Sequence, residues 1–234
     1  MTERRVSAAL HDAGSDTWAA TVAHPMVREI AAGTLPHETF RGYFRQNVLY
    51  LEAYARAIGL LLGRAPDRDA LGVLTAFEVQ IVDTEIPANL AFLERLGGDE
   101  DTEAGHGRMH PTTYAYTRHL LTVCATEDCA AGLAAVLPCQ WSYGELARPL
   151  MASKPADPIY AAWIDLFGDD GYDALVGDTT ALLDRLVDPD DERRVATLAD
   201  IFERSTAYER AFWDMAYGSG DGGSPPNNKR GGRP

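Results

Sequence analysis

Three cysteines in a chain of 234 residues are too few, and odd in number, to staple a disulfide scaffold. No CxxC or Cys/His cluster marks a zinc site. Cys124, Cys129 and Cys139 are therefore expected as reduced thiols. No uninterrupted apolar run reaches eighteen residues, which leaves no candidate membrane-spanning helix. The charged opening MTERRVSAALHDAGSD lacks the apolar stretch of a signal peptide, so the expected compartment is the cytoplasm. Basic residues are scarce: 21 Lys and Arg stand against 35 Asp and Glu, a net charge of −14. A phosphate backbone would be repelled, and nucleic acid is not an expected partner. Only the terminal KRGGRP is locally basic. GxGxxG, GKS/T and GxSxG runs are also missing, so nucleotide-binding and serine-hydrolase chemistry have no support.

What is present is a chain with 46% hydrophobic and 9% aromatic residues, enough to build a full core. Its apolar residues recur at helical spacing almost throughout: Phe40, Phe44, Val48, Leu51, Tyr54, Ile58 and Leu62 follow the step of an amphipathic helix. Thr34 and Pro36 precede it as start signals. Further helices are expected over about residues 5–22, 24–32, 68–96, 111–126, 128–152, 157–167, 170–187 and 190–217. The breaks between them, such as APDRD at 65–69 and DPDDE at 188–192, are too short for interdomain linkers. No repeat of fixed period appears. The expected architecture is all-α, a single multi-helix bundle over residues 1–217. The remainder, 218–234, is Gly/Pro-rich and reads as a disordered tail.

Three helices carry a polar or reactive group on an apolar face. Phe202, Ser205, Glu209, Phe212 and Ala216 step by three, four, three and four, so Glu209 lies in the buried stripe of the last helix. A desolvated carboxyl there suits general acid/base work, or is a structural group bonded to a neighbouring helix. Gly132, Ala135, Cys139, Tyr143, Leu146 and Leu150 share a face, and Pro138 is expected to bend the helix beside the thiol. Cys139 is either a small core hydrophobe or a thiol facing a cavity that the bend opens. Asn47 shares a face with Phe44, Tyr50, Leu51 and Tyr54. Its amide either reads the edge of a heterocycle or belongs to a buried network that sets helix register.

Other patterns carry less. Glu103, His106 and His110 have ExxHxxxH spacing, but Gly105, Gly107 and Pro111 make the segment a loop, and one cluster does not build a di-iron bundle. No metal is expected. His24, before Pro25, reads as a capping residue at a helix start.

The segments HPMVREIAAGTLPHETFRGYFRQNVLYLEAYARAIGL, HPTTYAYTRHL, LPCQWSYGELA, DPIYAAWIDLFG and YERAFWDMAY resemble, in order and spacing, the TenA or thiaminase II family. The likeness covers about residues 5–217. It implies a heme-oxygenase-like bundle, a homotetramer, and hydrolysis of aminopyrimidines to hydroxymethylpyrimidine for thiamin salvage without metal or organic cofactor. Carried over by position, Cys139 in LPC matches the family nucleophile and Glu209 in YE its acid/base carboxylate. Tyr50, Tyr116 and Tyr143 match tyrosines lining the pyrimidine pocket. Asn47 stands where the family usually has an Asp that contacts the aminopyrimidine edge, and Phe167 where it often has Tyr. Losing a charge-assisted bond at position 47 is worth about 1.5–3 kcal/mol of binding. The two departures point either to a shifted substrate within the same chemistry or to a TenA-like protein recruited to another pathway, including an oxidase-type activity on the same bundle.

Overall fold

A helix that is apolar on every side belongs at the centre of its fold, and one segment here is of that kind. The computed structural model describes residues 5–97 and 107–218, and in it α8 (Cys129–Ala147) is buried at all but three of its 19 residues. The single-face reading of this segment was therefore too narrow. Around it stand α1 (Val6–Ala13), α2 (Ser15–Val22), α3 (Pro25–Ala32), α4 (His37–Leu62), α5 (Arg68–Val79), α6 (Ile86–Arg95), α7 (Pro111–Thr126), α9 (Pro158–Gly168), α10 (Asp170–Leu186) and α11 (Glu192–Gly218). Among the described residues there is no β-strand. The all-α expectation holds among the described residues. Residues 219–234, and with them nearly all of the expected tail, lie outside the described residues, as do Glu103 and His106.

Three expected helices are subdivided. The helix over 5–22 breaks at Gly14, whose N–H still reaches back to the Leu10 carbonyl at 3.4 Å before α2 starts; glycine is a poor helix former and allows the change of direction. The helix over 68–96 contains a wide π-helical segment, Gln80–Glu85, between α5 and α6. Pro87 lies just beyond it. A proline inside a helix lacks the N–H donor and its ring collides with the carbonyl four residues back, here that of Asp83; an enlarged turn relieves that collision. The helix over 128–152 ends at Ala147 and tightens into a 3₁₀ segment, Arg148–Ser153, where Pro149 supplies no donor.

Helix starts follow from aspartates placed just before them. Asp67, Asp128, Asp157 and Asp169 each accept a backbone N–H of the first turn, from Ala70, Ala131, Ile159 and Tyr172 at 2.7–3.0 Å, which satisfies donors that have no intrahelical partner. His24 caps α3 as expected, Nδ1 accepting from Met26 N at 3.1 Å. His110 does the same for α7 through Nδ1, at 3.2 Å from Thr112 N. Gly33 ends α3 in the left-handed region, φ 69°, where only glycine is unstrained.

Packing then positions the site. α8 contacts α11, α10, α7 and α9, and α4 contacts α7, α6, α5 and α11. Where α4 crosses α8, a Cβ on Gly132 would lie 2.1 Å from Leu61 Cδ2, so the glycine sets the approach of the two helices. Trp163, Trp213, Tyr43, Tyr160 and Phe40 are fully buried on the side of the bundle toward α9, each worth about 1.5–3 kcal/mol of burial.

Candidate active site

α4, α7, α8 and α11 bring six of the seven expected site residues into one cluster, α4 and α8 supplying two each, and α9 adds the seventh. Cys139, on the second half of α8, is 8% exposed, and every other member is buried as deeply or more so. Glu209 descends from α11 and accepts a hydrogen bond from Tyr116 Oη of α7, 3.0 Å from Oε2. The Tyr116 ring lies 4.9 Å from that of Tyr50 on α4. The Tyr50 hydroxyl faces Tyr116 and Cys139 but makes no hydrogen bond of ordinary geometry. Trp213 Nε1 faces the Glu209 carboxyl in the same way. Tyr143, one turn beyond Cys139, shares a hydrogen bond with Tyr43, Oη to Oη 2.8 Å, and Phe167 of α9 meets it edge-on at 4.8 Å.

Electrostatics distinguish the two reactive groups. Burial pushes the Glu209 carboxyl up to about 7, against smaller lowering effects from Tyr116, Trp213 and Cys139. Burial, followed by repulsion from Glu209, holds the Cys139 thiol well above its ordinary value, which the Tyr50 and Tyr54 hydroxyls only partly offset. A carboxylate and a thiolate in this space would repel each other, so the pair carries at most one negative charge near neutrality.

A cavity runs along the α8 side of the cluster. Its wall includes Asn47, Glu85, Cys139, Gln140, Tyr143 and Phe167. Glu209, Tyr50 and Tyr116 stand behind Cys139 and are not part of that wall. The space measures about 10 Å³, the lower bound for holding one water, so Pro138 within α8 does not by itself open a pocket of ligand size. Asn47 is engaged within the protein: its Nδ2 donates to Asn89 Oδ1 at 2.9 Å, and Asn89 Nδ2 donates to the Glu85 carbonyl at 2.8 Å. The buried-network reading of Asn47 thus describes its amide nitrogen.

Glu85, Asn89 and Gln140 were not among the expected site residues. Glu85 and Asn89 continue the stripe Ala70, Leu74, Phe77, Ile81 at steps of four, a spacing that the wide π turn accommodates. That stripe was the signal available for both. Burial pushes the Glu85 carboxyl up to about 8, with only Gln80 lowering it. Gln140 is the one amide in the apolar run AVLPCQW, and both its Nε2 and its Oε1 are buried without a partner.

Comparison with known proteins finds relatives along nearly the whole chain. The chain is 31% identical to the aminopyrimidine aminohydrolase of Bacillus subtilis over 205 residues, 88% of this chain and 86% of that protein. It is 32% identical to that of Halalkalibacterium halodurans over 216 residues, covering 90% and 95%. Among solved structures, a TenA family transcription regulator of Silicibacter sp. superposes with a TM-score of 0.84 at 26% identity, covering 93% of this chain and 99% of that one. A domain with a heme oxygenase-like fold from Shewanella denitrificans superposes with a TM-score of 0.71 at 13% identity, covering 90% and 91%, which speaks for the fold alone. The sequence profile of the TENA/THI-4/PQQC family matches residues 11–219, and the chain belongs to that family.

Proposed function

We propose that the protein is a hydrolase of aminopyrimidines, releasing ammonia from an aminomethylpyrimidine and yielding hydroxymethylpyrimidine for thiamin salvage. Cys139 is the nucleophile, Glu209 the acid/base, and Asn47, Tyr50, Tyr116, Tyr143 and Phe167 line the substrate site. The observation that carries this reading is the placement of Cys139 between the cavity and the Glu209 carboxyl, in a chain about 30% identical to aminopyrimidine aminohydrolases.

The proton balance follows from the charges. With the thiol held neutral, the nucleophile forms when Glu209, ionised above about 7, takes the Cys139 proton as sulfur adds to the electron-poor ring. The single negative charge moves from oxygen to sulfur and into the ring. Glu209 then returns the proton to the departing amine. Water adds to the exocyclic methylene with its proton passing to the carboxylate, and expulsion of the thiol restores the starting state. Tyr116 holds the carboxyl that performs both transfers. Every step is balanced by these groups and water, so the reading needs no metal or organic cofactor.

A cavity of about 10 Å³ is far smaller than a pyrimidine, so binding requires wall side chains to turn aside. Asn47, bonded through its nitrogen, keeps its oxygen for a donor on the ligand. We also propose a cytoplasmic homotetramer. No helix among the described residues is long and apolar enough to cross a membrane, and Leu71, Val79, Val82 and Leu90 are exposed large apolar side chains along α5, the π segment and α6.

The test is ammonia and hydroxymethylpyrimidine formation from 4-amino-5-aminomethyl-2-methylpyrimidine. Turnover by the wild type that is lost in Cys139→Ser supports the reading. A folded wild type that releases nothing from this compound or from thiamin refutes it.

A further inference from the structure

The cavity beside Cys139 holds two polar side chains that the mechanism does not use. Gln140 is 1% exposed and Glu85 is 6% exposed, both on the cavity wall. Gln140 presents a donor and an acceptor with no protein partner. Leaving such groups buried and unpaired is costly, a cost that a ligand able to pair with them would remove. No cationic side chain lines the cavity, so nothing in the wall favours an ionised Glu85.

We infer that Glu85, with Gln140 beside it, reads the amidine edge of the aminopyrimidine, that is, the ring nitrogen and the adjacent exocyclic amine. The inference rests on the aminopyrimidine reading above. A neutral carboxyl offers one O–H donor and one C=O acceptor in a single plane, the complement of a ring nitrogen that accepts and an amine that donates. Burial keeps Glu85 in that form at neutrality, its proton leaving at about 8. The Gln140 amide supplies a further acceptor for the amine's second hydrogen. One of the two Asn47 Nδ2 hydrogens is already committed to Asn89, which ties that amide to the protein. The carboxyl facing the amidine edge thus comes from the π segment rather than from position 47, and Pro87 helps to hold the turn that aims it inward.

The test compares the wild type with Glu85→Gln, Glu85→Met and Gln140→Met. Calorimetry measures the Kd for 4-amino-5-hydroxymethyl-2-methylpyrimidine and for its analogue without the 4-amino group, and ammonia release gives KM and kcat. The wild type is expected to bind the amino compound about tenfold or more tightly than the analogue. Glu85→Gln, which keeps a planar donor and acceptor, is expected within a few-fold of wild type. Glu85→Met should raise Kd and KM for the amino compound about ten- to hundredfold and remove most of the discrimination. Unchanged discrimination in a folded Glu85→Met overturns the inference, because a merely structural role would not depend on the ligand's amine. If Glu85→Met does not fold, Gln140→Met decides the matter by the same ratio. Turnover with Glu85-independent binding rejects this inference and leaves the hydrolase standing. Glu85-dependent binding without turnover does the reverse, and a wild type that binds neither pyrimidine overturns both.

Discussion

In the proposed mechanism Glu209 and Cys139 form a pair in which proton position sets reactivity. Because the thiol is held above its ordinary value and the carboxyl at about 7, the competent form has Glu209 ionised and Cys139 protonated. The remaining titratable groups around the pair are Tyr43, Tyr50, Tyr54, Tyr116, Tyr143 and Tyr172, all pushed up by burial, and Glu85 at about 8. Activity should therefore fall as pH drops through about 7, when Glu209 is protonated. It should fall again as pH rises through about 8, when Glu85 ionises. A pH profile of kcat/KM checks both limbs. Glu209→Gln is expected to lower kcat about 10²- to 10⁴-fold and abolish the acidic limb, whereas a profile unchanged in Glu209→Gln would remove that residue from the chemistry. Glu209 was legible in the sequence because it interrupts an apolar stripe with a group costly to bury, whereas Cys139, of a residue type often buried as a small hydrophobe, was singled out by the family resemblance. Glu85 was equally interrupting, but the stripe leading to it crosses an enlarged turn, and a strict 3.6-residue step drifts away from that face.

At the scale of elements, most helices and their starts could be read from spacing and caps: α4, α7, α9 and α10 lie within a few residues of expectation. The departures occur where backbone chemistry overrides the hydrophobic pattern, at Gly14, ahead of Pro87 and at Pro149. Pattern reading reports which face is buried; it does not report how the backbone accommodates a missing donor. The outer side of α5, the π segment and α6 has the reverse character. Leu71, Val79, Val82 and Leu90 are each 44–49% exposed, and the same run presents the exposed charges Arg68, Asp69, Asp83, Glu94 and Arg95. If this surface is a subunit contact, light scattering should give about four times the 25.5 kDa chain mass. The double variant Leu71→Glu, Val82→Glu should lower that mass by burying like charges at the contact. A wild-type monomer would refute the tetramer.

For the whole molecule, buried ionisable groups couple the fold to pH. The carboxyls of Glu85 and Glu209 titrate at about 8 and 7 in the fold against a reference of 4.5, so the folded state holds protons that the unfolded chain has lost. Their contribution is fully present below about 4.5 and is lost as pH rises through those folded values. His119, lowered to about 4 by burial, and His24, also lowered by burial, act oppositely: their contribution is present above about 6.5 and lost as pH falls. The two effects oppose each other on the acid side; from about pH 6.5 to 8 the carboxyls act, and the buried thiols add in the same direction as pH nears their reference of 9.0. The melting temperature should therefore fall between about pH 6.5 and 8.5, less steeply in Glu85→Gln; a flat thermal-shift series would contradict this charge assignment. The helical pattern of the chain made its fold class readable from sequence. The tightness of the cavity was not readable, since it depends on how side chains from five helices meet. The most direct test of the account is ammonia release from 4-amino-5-aminomethyl-2-methylpyrimidine by wild type and Cys139→Ser at matched thermal stability. The account predicts turnover to hydroxymethylpyrimidine in the wild type and none in the variant, whereas turnover that survives Cys139→Ser, or a folded wild type without turnover on this compound or on thiamin, would contradict it.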